Sequence, residues 1–380
     1  MKLLVLAQTP PPLHGQSLMV QTLLAGLPAQ GLAVQHVNLA LSRDTADIGR
    51  WRPGKVTAVL GACGRTLVAR FRHDCDTLYY IPAPAKRGAL YRDWVVMLLC
   101  RPFFPRLVLH WHAAGLGDWL ATHAAAPERW LTRLLLGRAD LSLVLGEALR
   151  SDAAALRPRR LEVLRNGIAD PCPGFTGPPP RDPARLCAVF LGLCTEDKGL
   201  FDAIAAVQLA NAAPDRPRWE LRVAGNFADA ATRRRFDALA QSAGGWLHYA
   251  GFVDAAAKHR LLATATVLLF PTYYSAETQG LVVAEALAHD LPVIATRWRA
   301  VHEDLPAQRV HLVEPRSPTA LAAALAAEAP AGPTEGRLRA HFLAHCTAEI
   351  FSRRLAAHLL ALESPVDLGP RDRGGAGRPG

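Results

Sequence analysis

The stretch ATVLLFPTYYSAETQGLVVAEALAHDLPVIAT, residues 265–296, runs through a strand, a loop, a helix and a second strand. The apolar run Val267–Phe270 reads as a strand buried on both faces. PTYYSAETQ is then the loop at its carboxyl end. Gly280 opens a helix that runs to His289, and Pro292–Ala295 is the next strand. A buried strand that returns through a helix to another buried strand is the unit of a parallel sheet. Two carboxylates interrupt this apolar pattern. Glu277 lies in the loop, and Glu285 lies inside the helix segment LVVAEALA, where an unpaired charge is costly. Glu285 therefore needs a partner, and a ligand hydroxyl is one candidate, because a carboxylate accepts from two vicinal hydroxyls at once. Gly280 has no Cβ to keep a ligand from the backbone, and the free N–H groups at a helix start can hold a phosphate. The plainer reading makes Glu277 a solvated loop residue and Glu285 a helix residue facing water.

The same alternation extends outward in both directions. Towards the amino terminus, Leu3–Ala7, Ala33–Asn38, Thr77–Ile81, Arg106–Trp111, Asp140–Leu145 and Glu162–Leu164 read as strands, with helices such as Gln16–Leu27 and Glu128–Leu136 between them. GIADPCPGFTGPPPRDPAR, residues 167–185, is dense in Pro and Gly and can neither continue a helix nor sit in a central strand. The alternation then restarts with strands at Leu186–Gly192, Trp219–Ala224, Trp246–Tyr249, Val267–Phe270, Pro292–Ala295 and Arg309–Leu312. Between them fall helices at Gly199–Ala210, Ala228–Ser242, Ala255–Ala263, Gly280–His289 and Pro318–Ala327, and two more close the chain. The fold class is α/β, with two tandem Rossmann-like doubly wound domains and an interdomain cleft at the carboxyl ends of the strands. The expected division is 1–170 and 186–346 for the domains and 171–185 for the linker. Residues 347–364 form a C-terminal helix that packs back on the first domain, and 365–380 a disordered tail.

Composition narrows the function. The chain has 380 residues, 50% of them hydrophobic and 20% charged, which suits two globular domains. MKLLVLAQ reads as a first strand, not a signal peptide. The apolar run Trp94–Cys100 is far too short to cross a bilayer. Seven scattered cysteines without a CxxC point to reduced thiols and a cytoplasmic setting. The net charge is +10, and arginine far outnumbers lysine. That excess is either compositional bias or an attraction to an acidic membrane surface or a phosphate-bearing ligand. No nucleic-acid partner is expected, since the basic residues are dispersed and no recognised motif with interleaved aromatics accompanies them.

Other positions carry chemistry. Lys198 sits at a predicted helix start, where a cation beside amide N–H groups can neutralise a leaving diphosphate. In LHWHAAGLGDW, residues 109–119, His110 and His112 are two apart on a strand and point the same way. A metal would need a third ligand that the sequence does not suggest, so no metal and no cofactor are expected.

The spacing Glu277, seven residues, Glu285, followed by ALAHDLPVIAT, resembles the signature of retaining family-4 glycosyltransferases, which have the GT-B fold. FLGLCTEDKGLFDAI, LRVAGNF, HYAGFV, VLGEALRSDA, LEVLRNGI and QTPPPLHGQSLMVQTLLAGL are similar to the family's other elements, in order, over most of residues 1–362. The resemblance implies that Glu277 contacts the donor sugar, Glu285 the ribose, and Lys198 the phosphates. It implies a catalytic role near the sugar and acceptor for His112, with His110 as the fallback. Gly15, Gly225, Val253, Gly280 and Leu281 become donor-binding positions. The family's arginine five residues before the lysine is Leu193 here; Arg222 or another basic residue substitutes for it, or the donor is held less tightly. Asp290 stands where a glycine ends the helix of Glu285. Trp298 and Arg299 stand where glycines are common near Glu303, and His14-Gly15-Gln16 replaces paired glycines.

The implied activity is a retaining hexosyl transfer from a nucleotide-diphosphate sugar, which is a substrate, to a carbohydrate or lipid-linked acceptor. The implied setting is synthesis of bacterial exopolysaccharide or cell-surface glycans, with possible peripheral contact between the protein and an anionic membrane. The alternatives are a catalytically inactive nucleotide-sugar-binding protein and another GT-B enzyme, such as a sugar epimerase or an inverting transferase. A dinucleotide-dependent oxidoreductase is disfavoured, because AQTPPPLHGQS lacks a G-x-G-x-x-G turn.

Overall fold

The computed structural model describes residues 1–40, 53–177, 186–213, 218–328 and 334–363. The expected tail at 365–380 and the linker residues 178–185 lie outside them.

The first half begins with β1 (Lys2–Ala7), α1 (Gly15–Gly26), β2 (Ala33–Asn38), α2 (Pro53–Arg72), β3 (Thr77–Tyr80) and α3 (Arg87–Cys100). It continues with β4 (Arg106–Trp111), α4 (Leu116–Thr122), α5 (Ala126–Leu136), β5 (Leu141–Val144), α6 (Arg150–Ala154) and β6 (Leu161–Val163). The apolar run in the second half of α3, Trp94–Cys100, buries Val96, Met97 and Cys100 against the sheet.

The second half holds β7 (Leu186–Leu191), α7 (Leu200–Asn211), β8 (Trp219–Ala224), α8 (Ala230–Ser242), β9 (Leu247–Gly251) and α9 (Ala255–Thr264). It continues with β10 (Val267–Phe270), α10 (Leu281–Ala288), β11 (Val293–Thr296), β12 (Val310–Val313), α11 (Pro318–Glu328), α12 (Arg337–His345) and α13 (Ala348–Leu360). Two starts fall later than the sequence reading placed them. Helix α8 begins after Asp229, whose side chain caps it through the amide of Thr232 at 2.8 Å. Helix α7 begins after Gly199, so Lys198 stands just outside its first turn.

The strands form two six-stranded sheets, ordered β2-β1-β3-β4-β5-β6 and β12-β11-β10-β7-β8-β9, and all their pairings are parallel. Both are doubly wound. Each has a switch point where successive crossovers leave on opposite faces, between β1 and β3 in one sheet and between β7 and β10 in the other. Loops at the carboxyl ends of those strands are where such folds hold ligands. Helix α13 returns to the first half. Its Phe351, Leu355 and Leu359 pack with Leu3, Val5, Val20 and Leu23 of β1 and α1. The chain between the halves passes Ile168 and comes back at Thr347, and these residues pair side by side (Ile168 N–H to Cys346 O 2.9 Å, Ala348 N–H to Ile168 O 2.9 Å). Gly167 permits this approach, since a Cβ there would meet the Thr347 carbonyl oxygen at 2.2 Å.

Candidate active site

The loops after β7 and β10 meet at the switch point of the second sheet. Lys198 follows β7 and Glu277 follows β10, and their side chains form an ion pair at 2.5 Å. Glu277 is 9% exposed and also takes a long hydrogen bond from Thr272 Oγ1 (3.4 Å). The Lys198 ammonium lies 4.7 Å from the ring centroid of Tyr274. Gly199 allows the turn into α7: its φ is +78°, and a Cβ would strike the Pro271 carbonyl at 2.2 Å.

Gly280 precedes α10 with φ +76°, and a Cβ there would sit 2.7 Å from the ring of Phe270. The fold itself thus requires glycine at 280, apart from any ligand. Across the cleft, α1 starts at Gly15, where a Cβ would lie 3.6 Å from Leu281 Cδ1. The first residues of α1 and α10 are neighbours, and Leu281 packs against the core of the first half. Two positive helix ends therefore converge beside Lys198.

Glu285 has its partner within the protein. Lys258 of α9 forms an ion pair with it, so the apolar helix carries a compensated charge without a ligand. Gly225 has φ +140°, and a Cβ there would fall 1.7 Å from the Gly192 carbonyl oxygen; the close approach of two strand ends already demands glycine. The Tyr249 hydroxyl donates to the Gly225 carbonyl at 2.8 Å. Val253, just past β9, is partly buried against the core that contains Val283.

The His110 and His112 rings lie against each other at a tilt of 52°, with centroids 4.1 Å apart. His110 is fully buried, and its Nδ1 lies 2.5 Å from the Tyr79 hydroxyl and 3.2 Å from His112 Nε2. His112 is partly exposed, near His14, which caps α1 by accepting from the Ser17 amide at 3.2 Å. Burial, then the neighbouring His14, lowers the His112 pKa to about 3, and burial also pushes His110 well below its ordinary value. Both rings are neutral at pH 7, so His112 can donate or accept a hydrogen bond there. The unfolded chain takes up protons near pH 6.5 while folded His112 resists to about pH 3. Stability contributed at neutral pH is therefore lost as pH falls through that window. In pH-dependent urea unfolding, His112→Gln is expected to remove on the order of 4 kcal/mol of this acid sensitivity. An unchanged profile would assign the sensitivity to other groups.

Leu193 is half exposed, and Arg222 does not take its place: it pairs with Glu220 at 3.4 Å and its charge reaches Cys187, at the amino end of β7. Asp290 adopts φ +52° at the end of α10, and its buried carboxylate gathers the amides of Gly336, Leu338 and Arg339 at the start of α12.

Two residues outside the sequence reading, Lys258 and Arg165, shape the site, together with Trp298, which the sequence marked only as a departure from glycine. Trp298 Nε1 donates to the Tyr274 carbonyl at 2.8 Å and pins the Glu277 loop. Lys258 pairs with Glu285. Arg165 of the first half joins Glu303 and Asp304 of the second at 3.1 and 3.3 Å, while Glu303 accepts from the amides of Glu147 and Ala148, both at 2.7 Å. Each is a contact between elements distant in sequence, which no local pattern announces.

Residues 185–327 match the family model described as glycosyl transferases group 1. That match spans the second sheet from β7 to α11. Lys198, Gly225, Val253, Glu277, Gly280, Leu281 and Glu285 all lie inside the matched segment, whereas Gly15 and His112 come from the other side of the cleft. No curated protein matched the sequence. Solved structures match over nearly the whole chain. Sucrose-phosphate synthase from Thermosynechococcus elongatus aligns with TM-score 0.72 and 18% identity, covering 95% of this chain and 99% of its own. Anabaena HepE in complex with UDP-glucose aligns with TM-score 0.66 and 14% identity, covering 95% and 100%. The lipopolysaccharide outer core galactosyltransferase WaaB, in its apo form, aligns with TM-score 0.64 and 13% identity, covering 95% and 100%. These likenesses establish the GT-B fold for the two sheets together. Among the described residues no helix is long and apolar enough to cross a membrane.

Proposed function

We propose that the protein transfers a hexosyl group from a nucleoside-diphosphate sugar to an acceptor hydroxyl with retention of anomeric configuration. The observation that carries this reading is the convergence of the α1 and α10 starts beside the Lys198–Glu277 pair. A diphosphate laid across the two helix ends meets backbone N–H groups from both domains, and Lys198 adds a full charge. Glu277 then turns to sugar hydroxyls, and Glu285 offers its oxygens to the ribose while still facing Lys258. His112, neutral, reaches the sugar from the first domain.

As the bond from the anomeric carbon to the diphosphate oxygen breaks, negative charge grows where Lys198 and the helix starts can hold it. The acceptor oxygen bonds to the same face of the carbon and gives its proton to the departing diphosphate. Glu303 and Arg165 hold the domains together across the cleft and keep water from the reacting centre. No metal takes part in this scheme.

HepE, solved with UDP-glucose, supports a uridine donor, and WaaB, a lipopolysaccharide outer core galactosyltransferase, supports a surface-glycan acceptor, which we take to be lipid-linked. Thermal unfolding with UDP, GDP, ADP and CMP tests the donor site. A ligand at 100 times its Kd adds about 2.7 kcal/mol, a readily measured midpoint shift. UDP is expected to stabilise the wild type and to lose that effect in Glu285→Ala. No response to any nucleotide would refute the reading. A nucleotide response without sugar transfer would make this an inactive binding protein.

A further inference from the structure

We propose that the outer face formed by α2, α3 and α5 docks on an anionic lipid surface. This deepens the reading above, in that it takes the acceptor to be lipid-linked and says which side of the molecule meets the lipid.

The three helices cover one face of the first sheet and bury their inner sides in its core. Their outer sides are also apolar, at helical spacing. On α3, Tyr91, Val95 and Leu98 follow at steps of four and three; on α5, Trp130 and Leu134 follow at a step of four. On α2, Val56, Leu60, Val68 and Phe71 share one side. Phe71, Leu98 and Trp130 are each more than 60% exposed. The stripes join, since the Phe71 ring meets Phe103, just past α3, edge-on at 6.1 Å. Scattered exposed apolar residues are ordinary, but aligned outward stripes on three adjacent helices form a patch that needs a partner.

The charge identifies the partner. Helix α2 carries Lys55, Arg65, Arg70 and Arg72 and no acidic residue. Beside Leu98 and Leu134 lies a groove of about 400 Å³ with an apolar floor, where Arg101, Arg138 and Arg159 outnumber Asp140, the partner of Arg159 at 3.1 Å. Arg138 is exposed, and its guanidinium has no hydrogen bond or ion pair with a described residue. Exposed aromatic and aliphatic side chains interleaved with arginines fit the headgroup–acyl boundary of an anionic bilayer. A second copy of the chain pairing through this face would set like charges against each other. Helix α3 begins just past the carboxyl end of β3, at the cleft rim. A protein lying on this face holds its cleft beside the membrane surface.

The test is co-sedimentation of the full chain with vesicles of equal parts phosphatidylglycerol and phosphatidylcholine, and with phosphatidylcholine alone. The wild type is expected to pellet only with the anionic vesicles. Phe71→Glu/Leu98→Glu, and separately Arg65→Glu/Arg72→Glu, are expected to weaken that binding by at least about tenfold. Both variants should keep the wild-type circular dichroism spectrum and UDP response. Failure of the wild type to bind, or unchanged binding by both variants, overturns the proposal. So does a wild-type dimer in light scattering that the variants dissociate, because the face is then a protein interface. Vesicle binding without any nucleotide response leaves this proposal standing and removes the donor reading alone.

Discussion

Lys198→Ala is expected to lower kcat by on the order of 10²–10³, the usual effect of removing one group that stabilises charge in a transition state. The same change should also destabilise the fold, for a separable reason. Glu277 is 9% exposed, and its only charged partner among the described contacts is Lys198. Without that partner a carboxylate is left buried and unpaired. Breaking buried pairs costs about 3–5 kcal/mol, and the low end applies here because the Lys198 side chain is still one-fifth exposed. The double variant Lys198→Ala/Glu277→Gln removes the orphaned charge. It should recover most of the stability and none of the turnover. Urea unfolding and transfer kinetics with the donor found by the nucleotide screen distinguish the two effects. Turnover within threefold of wild type in the single variant would remove Lys198 from the chemistry. Recovery of turnover in the double variant would mean that its effect had been structural.

Asp290→Gly should destabilise the protein by about 3 kcal/mol, although it places glycine where the backbone has φ +52°. Relief of the left-handed conformation returns only about 1 kcal/mol. Against that, the Asp290 carboxylate accepts from the amides of Gly336 at 2.9 Å, Leu338 at 3.0 Å and Arg339 at 3.2 Å, and from the Thr334 hydroxyl. Hydrogen bonds to a charged group contribute roughly 1.5–3 kcal/mol each before neighbouring losses are shared. The substitution leaves the first amides of α12 buried without a cap. Asp290→Asn keeps the shape and the tolerance of positive φ and should fall between the two. A glycine variant as stable as the wild type would mean that water replaces the carboxylate and that the cap contributes nothing net.

The strands were legible because a central parallel strand is a continuous apolar run, as in LLVLA, VLLF and LCAVFL, and such runs stand out without any knowledge of partners. The helices of the first half were less legible, for a reason visible on α2. Val59 and Cys63 face the core while Val56, Leu60, Val68 and Phe71 face out, so the 3.6-residue period that marks a helix is blurred. At the site, Lys198 and Glu277 could each be singled out from local context, as a cation before a helix and an acid in a strand-end loop. Their pairing could not. It depends on β7 and β10 being neighbours in the sheet although β8 and β9 come between them in the chain. Lys258 opposite Glu285 is hidden for the same reason. The sequence shows that Glu285 needs a counter-charge, but only packing shows that α9 supplies it.

The return of α13 to the first sheet sets an order of events during synthesis. Leu3, Val5, Val20 and Leu23 leave the ribosome long before the side chains that cover them, Phe351, Leu355 and Leu359. The amino-terminal half must wait with one flank of its core uncovered while the whole second half is made. At ordinary elongation rates this wait is on the order of ten seconds or more. The second half has both faces of its sheet covered by its own helices and can finish first. A nascent chain of this protein is therefore expected to fold its later-made half ahead of its earlier one, with the open flank of β1 and α1 exposed to chaperones until α13 arrives.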